Sequence, residues 1–211
     1  MNTTRSLHLL VLAFALGFSA SAFAQDQSPA SAPANDQGLL GENYFGANYA
    51  WYHFSDSPVD ASGFEFEANY NVRSQLDFNL NYRFLRTDEI FGIRARFQSM
   101  MVGLRLFFKQ SWGRPYLEAS AGWAWADAGG IASEHSSAYR VGVGLEFQPK
   151  AKLTLTPFAY YLDYPGIDGA HSFNYGLKGN YWLSRHWALA ATYFADDNQN
   201  TGYALGLNFR F

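Results

Sequence analysis

Residues 63–85, GFEFEANYNVRSQLDFNLNYRFL, alternate between apolar and polar side chains on both sides of a short break. From Phe64 to Val72 every second residue is apolar, and the residues between them are charged or carry amides. After Ser74 the same alternation runs from Leu76 to Phe84. Successive side chains of a strand point to opposite faces, whereas a helix repeats every 3.6 residues. The stretch therefore predicts a β-hairpin with one apolar and one polar face.

The alternation recurs along the rest of the chain. It is clear at 139–148, 172–182, 187–194 and 203–211, and weaker at 43–54, 93–108, 115–126 and 153–163. Together with the two strands of the hairpin, these segments predict ten strands. Eight strands stay open as an alternative, which requires two of the segments to be loops.

The composition favours a membrane barrel and excludes other classes. Aromatic residues make up 18% of the chain and charged residues only 16%, an aromatic excess that fits belts at two membrane–water interfaces. An aromatic-rich sandwich core is the alternative. Mean hydropathy is −0.20, a value that is uninformative for barrels because lipid-facing and lumen-facing residues cancel. The net charge of −3 argues against nucleic-acid binding, and the absence of cysteine excludes disulfides and thiol chemistry.

The connections between the predicted strands alternate in length and charge. Four are tight and basic, at 73–74, 109–114, 149–152 and 184–186, and five are longer and acidic. The acidic connections carry Asp56, Asp60, Asp88, Glu89, Asp127, Glu134, Asp163, Asp168, Asp196 and Asp197. Short turns at one end and longer loops at the other are typical of bacterial outer-membrane barrels. The predicted fold is all-β: an up-and-down antiparallel transmembrane β-barrel.

The N-terminus has the pattern of an export signal. Arg5 precedes an apolar run over residues 7–18, and Ala22-Phe23-Ala24 forms a small-residue cleavage site. Residues 1–24 are therefore predicted to be a signal peptide, and the Pro/Ala/Ser/Gln-rich residues 25–41 a flexible periplasmic linker. Residues 42–211 form the predicted barrel domain, which export would deliver to the bacterial outer membrane.

Three stretches resemble the small outer-membrane β-barrel proteins of the OmpA, OmpX and opacity type. They are NYFGANYAWYHF at 43–54, YRVGVGLEFQPKAKLTLTPFAYYLDY at 139–164, and GYALGLNFRF at 202–211. The resemblance implies that the last strand is an assembly signal read by the barrel-assembly machinery. The residues that would carry this signal are Tyr203, Leu205, Leu207, Phe209 and Phe211.

The polar faces of the strands predict a charged lumen. Its predicted members are Glu65, Glu67, Asp77, Arg83, Arg96, Arg105, Glu118, Arg140, Glu146, Lys178 and Arg210. Buried charges are costly unless paired, and narrow barrels are filled by side chains, so we expect salt bridges that plug the lumen. This favours a structural or surface-interaction role. A narrow channel for ions or small solutes is the alternative, because Gly142, Gly144, Gly176 and Gly206 lie on the inward face and leave either a passage or room for arginine side chains.

The remaining motifs give weak evidence for chemistry. Glu134-His135-Ser136, His171 near Asp168, and Asp196-Asp197 contain residue types found in hydrolases. Adjacent residues of an extended chain diverge, however, so we predict no catalytic, cofactor or metal site, and a surface hydrolase is the least favoured function. The expected partners are outer-membrane lipid and lipopolysaccharide, whose phosphates the acidic loops could bridge through Ca²⁺ or Mg²⁺. The oligomeric state stays open.

Overall fold

The protein is described by a computed structural model at residues 43–55, 57, 59–89, 93–108, 110–128, 133–167 and 170–211. The predicted signal peptide (1–24) and linker (25–41) lie outside these described residues. Among the described residues no helix is long and apolar enough to cross a membrane.

The described residues form ten strands. They are β1 (Tyr44–His53), β2 (Ala61–Arg73), β3 (Leu76–Thr87), β4 (Ala95–Phe107), β5 (Arg114–Ala128), β6 (Ser133–Lys150), β7 (Leu153–Asp163), β8 (His171–Trp182), β9 (Trp187–Asp196) and β10 (Thr201–Arg210). Each strand pairs antiparallel with its sequence neighbours, and β1 pairs with β10 from Tyr44↔Arg210 to His53↔Thr201. The sheet is thus a closed barrel, which has no free edges. The ten-strand prediction is confirmed, and the eight-strand alternative is wrong.

Alternation along each strand separates an outer apolar face from the lumen. In β10 the side chains of Tyr203, Leu205 and Leu207 are exposed on the outside. Ala204 and Asn208, which occupy alternate positions of the same strand, are buried in the lumen. The core of this protein is therefore the barrel interior, and the exposed outer face is the apolar one.

The two ends of the barrel differ. The turn rim is the end with the short connections 74–75, 108–113, 151–152 and 183–186, together with Asn43 and Phe211. The loop rim is the opposite end, where β1 connects to β2, β3 to β4, β5 to β6, β7 to β8 and β9 to β10. At the loop rim, the β5–β6 ladder continues to Asp127↔Ser133, so this hairpin is longer than its neighbours.

Strand β6 corrects one predicted boundary. It begins at Ser133, six residues before the predicted start at 139, so Glu134, His135 and Ser136 lie in a strand and not in a loop. The inward alternation continues through Ser136 and Ala138, which are buried. The outward positions beside them, Ser133, His135 and Ser137, are polar, so the apolar signal of a membrane strand is missing there although the hydrogen-bonded ladder continues.

Candidate functional site

The charged side chains that point inward lie in the barrel lumen, in layers from the turn rim to the loop rim. At the turn rim, Phe107 and Trp182 are buried, and each lies beneath a guanidinium group. The Cζ atom of Arg114 is 3.7 Å from the centre of the Phe107 ring, and that of Arg210 is 5.0 Å from the Trp182 ring. Aromatic rings attract cations placed over their faces. These contacts lie at the turn-rim end of the lumen.

Beside these rings, Arg114 forms ion pairs with two carboxylates from different strands. It lies 3.8 Å from Asp77 and 3.5 Å from Glu146, measured between nitrogen and oxygen atoms. Asp77 is completely buried. Its carboxylate also accepts hydrogen bonds from the side-chain amides of Asn69 at 3.0 Å and Asn71 at 2.6 Å. Buried carboxylates require such partners, and Asp77 has three.

The next layer places Glu118 between two arginines. The Nε atom of Arg105 donates to Glu118 Oε2 at 2.5 Å, and Arg140 forms an ion pair with the other carboxylate oxygen. Ser120 Oγ donates to the same carboxylate at 3.2 Å. The Glu118 side chain is 8% exposed, so this cluster is largely shielded from solvent.

Two further ion pairs lie in the lumen, one between the adjacent strands β2 and β3 and one across the barrel between β2 and β8. Arg83 Nε contacts Glu65 at 2.6 Å, and the Tyr52 hydroxyl donates to the same oxygen of Glu65 at 2.6 Å. Lys178 pairs with Glu67, and its ammonium also donates to the Tyr44 hydroxyl at 3.2 Å. The charged members of these four clusters come from six strands, β2 to β6 and β8.

The predicted lumen charges are placed as follows. All except Arg96 lie on the inward face: Glu65, Glu67, Asp77, Arg83, Arg105, Glu118, Arg140, Glu146, Lys178 and Arg210. Arg96 is exposed and shares the outward face with Met100 and Val102. Nine positions separate it from Arg105 on a strand without a bulge, and an odd separation puts two residues on opposite faces. By strand alternation Arg96 therefore belongs to the outward face, and it lines the interior only at the loop rim.

Arg114 is the lumen residue that the sequence analysis missed. It was assigned to a basic turn, but it is the first residue of β5 and is buried. The signal was present in the sequence, because Arg114, Tyr116, Glu118 and Ser120 alternate along one face. Below the loop rim, the described part of the lumen holds five acids and six bases, with Arg114 in place of Arg96.

The inward glycines lie against neighbouring side chains. A Cβ atom added to any of three of them would lie no more than 2.8 Å from an aromatic side chain on the adjacent strand. The pairs are Gly144 with Tyr116, Gly142 with Tyr160, and Gly176 with Phe158. At Gly206 the neighbouring Asn48 occupies the corresponding space. Cross-strand covering of glycine by aromatic rings stabilises sheets. The space that we expected arginines to use is therefore taken by rings and one amide.

Among the described residues, the lumen contains at least three cavities. The lower one, among the ion pairs, has a volume of about 140 Å³, and a smaller one of about 60 Å³ lies beside Tyr160 and Met101. The third is a wider cavity of about 480 Å³ that opens at the loop rim. Arg83 is the residue that lines all three. Its ion pair with Glu65 thus lies where the cavities approach one another.

A comparison with protein families assigns this architecture. The family model described as outer membrane protein beta-barrel domain matches residues 10–211, which is most of the chain.

The chain belongs to the outer membrane protein β-barrel domain family.

Solved structures with similar folds are also outer-membrane or surface proteins. Neisserial surface protein A is 14% identical, with 80% of this chain and 96% of that chain covered and a TM-score of 0.46. Ail, the attachment invasion locus protein of Yersinia pestis, is 15% identical, with 82% of this chain and 100% of that chain covered and a TM-score of 0.39. OprG from Pseudomonas aeruginosa is 10% identical, with 82% of this chain and 96% of that chain covered and a TM-score of 0.42. No curated protein matches the chain. At these identities and scores the likeness assigns no function.

Membership of this family makes the barrel a bacterial outer-membrane protein. The exposed outer face is then the lipid face, and its aromatic side chains form contacts with one another across strands. Trp51 and Tyr203 stack at 5.2 Å across the β1–β10 junction, and Trp187 and Phe209 approach to 4.9 Å near the turn rim. Aromatic residues at both ends of an apolar band are typical of outer-membrane barrels.

The wide cavity at the loop rim, which we call the loop-rim cup, has a mostly apolar wall. The apolar residues that line it are Tyr52, Phe54, Ala61, Leu85, Ala95, Phe97, Ala126, Ala128, Leu162, Tyr164 and Phe194. Tyr164 follows β7, and its ring meets Phe97 edge to face at 5.6 Å. Burial raises the pKa of the Tyr164 hydroxyl above its ordinary value, so this part of the wall is uncharged at neutral pH.

The predicted assembly residues lie on the outer face of the closing strand. Tyr203, Leu205, Leu207 and Phe209 point outward from β10, and Phe211 follows the strand at the turn rim. The Phe211 amide donates to the Asn43 carbonyl at 3.2 Å. Their role in assembly stays a prediction.

The residues considered for hydrolysis have structural partners. Ser136 Oγ donates to the Ser137 carbonyl and accepts from the Gly166 amide, both at 2.7 Å. Asp196 accepts hydrogen bonds from the backbone amides of Asn198 and Asn200, and Asp197 accepts one from the Phe173 amide. His171 is exposed, and Asp168 lies outside the described residues.

Within the described part of the chain, no group of three or more His, Asp or Glu side chains is placed to bind a metal ion. The expectations of no enzyme activity and no cofactor stay predictions.

Proposed function

We propose that this outer-membrane barrel has a structural or surface-interaction role and that its lumen does not conduct. The observation that carries the proposal is the set of paired charges in the interior, most of them between adjacent strands and one, Lys178 with Glu67, across the barrel. Glu118 lies between Arg105 and Arg140, and Arg83 and Lys178 each pair with a glutamate from β2. Ions entering this region would have to displace paired charges, and interiors of narrow barrels are filled by side chains.

The covered glycines support the same proposal. An open path along Gly142, Gly144 and Gly176 would require the neighbouring aromatic side chains to leave their positions over the glycines. Of the cavities among the charged residues, the larger has about 140 Å³, room for only a few water molecules at roughly 30 Å³ each.

A narrow channel is the second candidate, favoured by the position of Arg83 beside all three cavities. If this side chain moved, the cavities would join. The test is conductance of the purified barrel in planar bilayers. We expect no stable steps from the wild type. Stable wild-type steps that change when Arg105 and Glu118 are neutralised would contradict the plug and support the channel.

Substitution of Arg83 tests whether this residue controls a path through the lumen. The channel candidate predicts that Arg83→Ala introduces conductance steps, because the substitution removes the side chain that the cavities share. The plug predicts that the variant stays closed, because the Arg114 and Glu118 clusters remain in place. Arg86→Ala is the matched control, since Arg86 lies on the same strand but is exposed on the outer side, over the Phe84 ring. Heat-modifiable migration in detergent gels verifies that each variant is a folded barrel. Closed behaviour of folded Arg83→Ala would rule out a path controlled by this residue.

The proposed surface partners are outer-membrane lipid and lipopolysaccharide. Bridging of lipopolysaccharide phosphates by Ca²⁺ or Mg²⁺ requires available loop carboxylates, and several have protein partners: Asp60 contacts His53 at 2.8 Å and Glu89 contacts Arg94 at 3.6 Å. We therefore propose that contact occurs chiefly through the outward aromatic side chains. Association with lipopolysaccharide in mixed vesicles should persist in EDTA, and loss of association in EDTA would instead support cation bridging.

A further inference from the structure

The loop-rim cup has the size and lining of a small-molecule site. Its volume of about 480 Å³ falls within the ~300–1,000 Å³ typical of ligand pockets. Two aromatic pairs form part of its wall, Tyr52 with Phe194 at 4.7 Å and Phe97 with Tyr164 at 5.6 Å. Such pockets are usually apolar with a few polar groups that orient the ligand.

The cup is held in shape by its surroundings. Leu85 and Phe194 belong to one buried cluster and Leu162 and Tyr164 to another, and Phe97 packs against both. The segment after β7 is fixed by backbone hydrogen bonds between residues 164 and 170 at 3.1 Å and between residues 167 and 164 at 2.9 Å. The site is therefore preformed, which lowers the entropic cost of binding.

The mouth of the cup is acidic. Asp127, Glu134 and Asp196 line it with one cation, Arg96. Arg96 lies opposite Asp127 in the β4–β5 ladder, which places these opposite charges side by side. Arg83 also lines the cup, but it is paired with Glu65. The charge that remains at the mouth is negative, from Glu134 and Asp196.

We propose that the cup binds a single-chain cationic amphiphile, with its alkyl chain against the apolar wall and its ammonium group among the carboxylates of the mouth. The wall selects the apolar chain because burial removes it from water. The mouth selects the charge, since opposite charges attract and like charges repel. The proposal does not depend on whether the lumen conducts.

The test uses the barrel refolded into nanodiscs of zwitterionic lipid without detergent, because detergent would itself compete for the cup. Leucine methyl groups are labelled for NMR and n-octylammonium is titrated. Leu85 and Leu162 line the cup, whereas Leu205 and Leu207 face lipid. We expect saturable shifts of the first two methyl signals and only small, non-saturating shifts of the second two. Equal shifts of all four would indicate partition into the bilayer and overturn the proposal.

The charge preference is tested with n-octanol and n-octanoate. Octylammonium should bind about fivefold more tightly than octanol, because one charge contact near 4 Å in water contributes about that factor. Octanoate should bind more weakly than either. The variant Glu134→Gln/Asp196→Asn should remove most of the preference while leaving octanol binding unchanged. Equal affinity for octanoate and octylammonium would contradict the cationic assignment.

A filling variant tests the location of the site. Ala126 lines the cup, so Ala126→Trp should abolish the saturable shifts. Ala121→Trp is the matched control, because Ala121 lies on the same strand and faces outward between Val102 and Tyr139. Heat-modifiable migration shows that both variants are folded. Unchanged binding to folded Ala126→Trp would exclude the cup as the site.

Discussion

Replacement of Glu118 by glutamine is the most direct test of the lumen network. Glu118 is the only carboxylate among the described residues that contacts both Arg105 and Arg140. The substitution keeps the size of the side chain and removes its charge. Two guanidinium groups, with side chains 15% and 13% exposed, then lose their shared counter-charge.

The expected loss of stability follows from this burial. Removing one partner of a buried ion pair typically costs 3–5 kcal/mol, because the remaining charge is left uncompensated. The adjacent cavity of about 140 Å³ admits a few water molecules, which solvate the arginines and favour the lower end of this range. We therefore expect Glu118→Gln to lower the free energy of unfolding by about 3 kcal/mol. With a urea m-value of roughly 1–3 kcal/mol/M, the midpoint falls by about 1–3 M.

The assay is equilibrium urea unfolding in phospholipid vesicles, followed by tryptophan fluorescence and by heat-modifiable migration. Glu89→Gln is the matched control. Glu89 pairs with Arg94 at 3.6 Å, and both side chains are more than half exposed. Exposed pairs contribute only about 0.2–1 kcal/mol, so this change should shift the midpoint little.

A triple replacement separates charge from packing. Buried ion networks replaced by apolar residues of similar volume are often neutral or more stable. Arg105→Met/Glu118→Met/Arg140→Met should therefore recover most of the stability lost in Glu118→Gln. A Glu118→Gln midpoint equal to that of the wild type would refute the argument that this network is a buried, mutually compensated set. A triple variant less stable than Glu118→Gln would refute the assignment of the loss to uncompensated charge.

Three further predictions address assembly, packing and the lipid face. Deletion of Phe211 should reduce the amount of heat-modifiable protein in outer membranes without altering conductance; normal membrane levels would refute the assembly role. Gly144→Val should lower the free energy of unfolding by about 1–3 kcal/mol, because the larger side chain overpacks against the neighbouring tyrosine ring. Gly179→Val is the control and should be tolerated, because an added Cβ there would meet nothing closer than 3.4 Å. Equal urea midpoints of the two variants would contradict this prediction. Leu205→Arg, near the middle of β10, should lower the free energy of unfolding in vesicles by about 2–4 kcal/mol, and Val72→Arg, beside the turn rim, by about 0–1 kcal/mol. A larger loss for Val72→Arg than for Leu205→Arg would contradict the assigned position of the barrel in the membrane.

The sequence predicted the architecture well because a strand's pattern is local. Side chains alternate with a period of two whatever the strand pairs with, so the ten segments and their two faces were readable without the fold. The errors were local too. Arg96 was assigned to the wrong face although its odd separation from Arg105 was visible, and β6 was begun too late because its first outward residues are polar.

Which charges pair, and where the lumen is open, was decided only by the tertiary structure. Lys178 and Glu67 are 111 residues apart, and they meet because barrel closure fixes the height of every strand relative to the others. The loop-rim cup likewise combines residues from all strands from β1 to β9. An alternating sequence determines which side chains point inward. It does not determine their heights across the lumen, since those depend on the register with which β1 and β10 close the sheet.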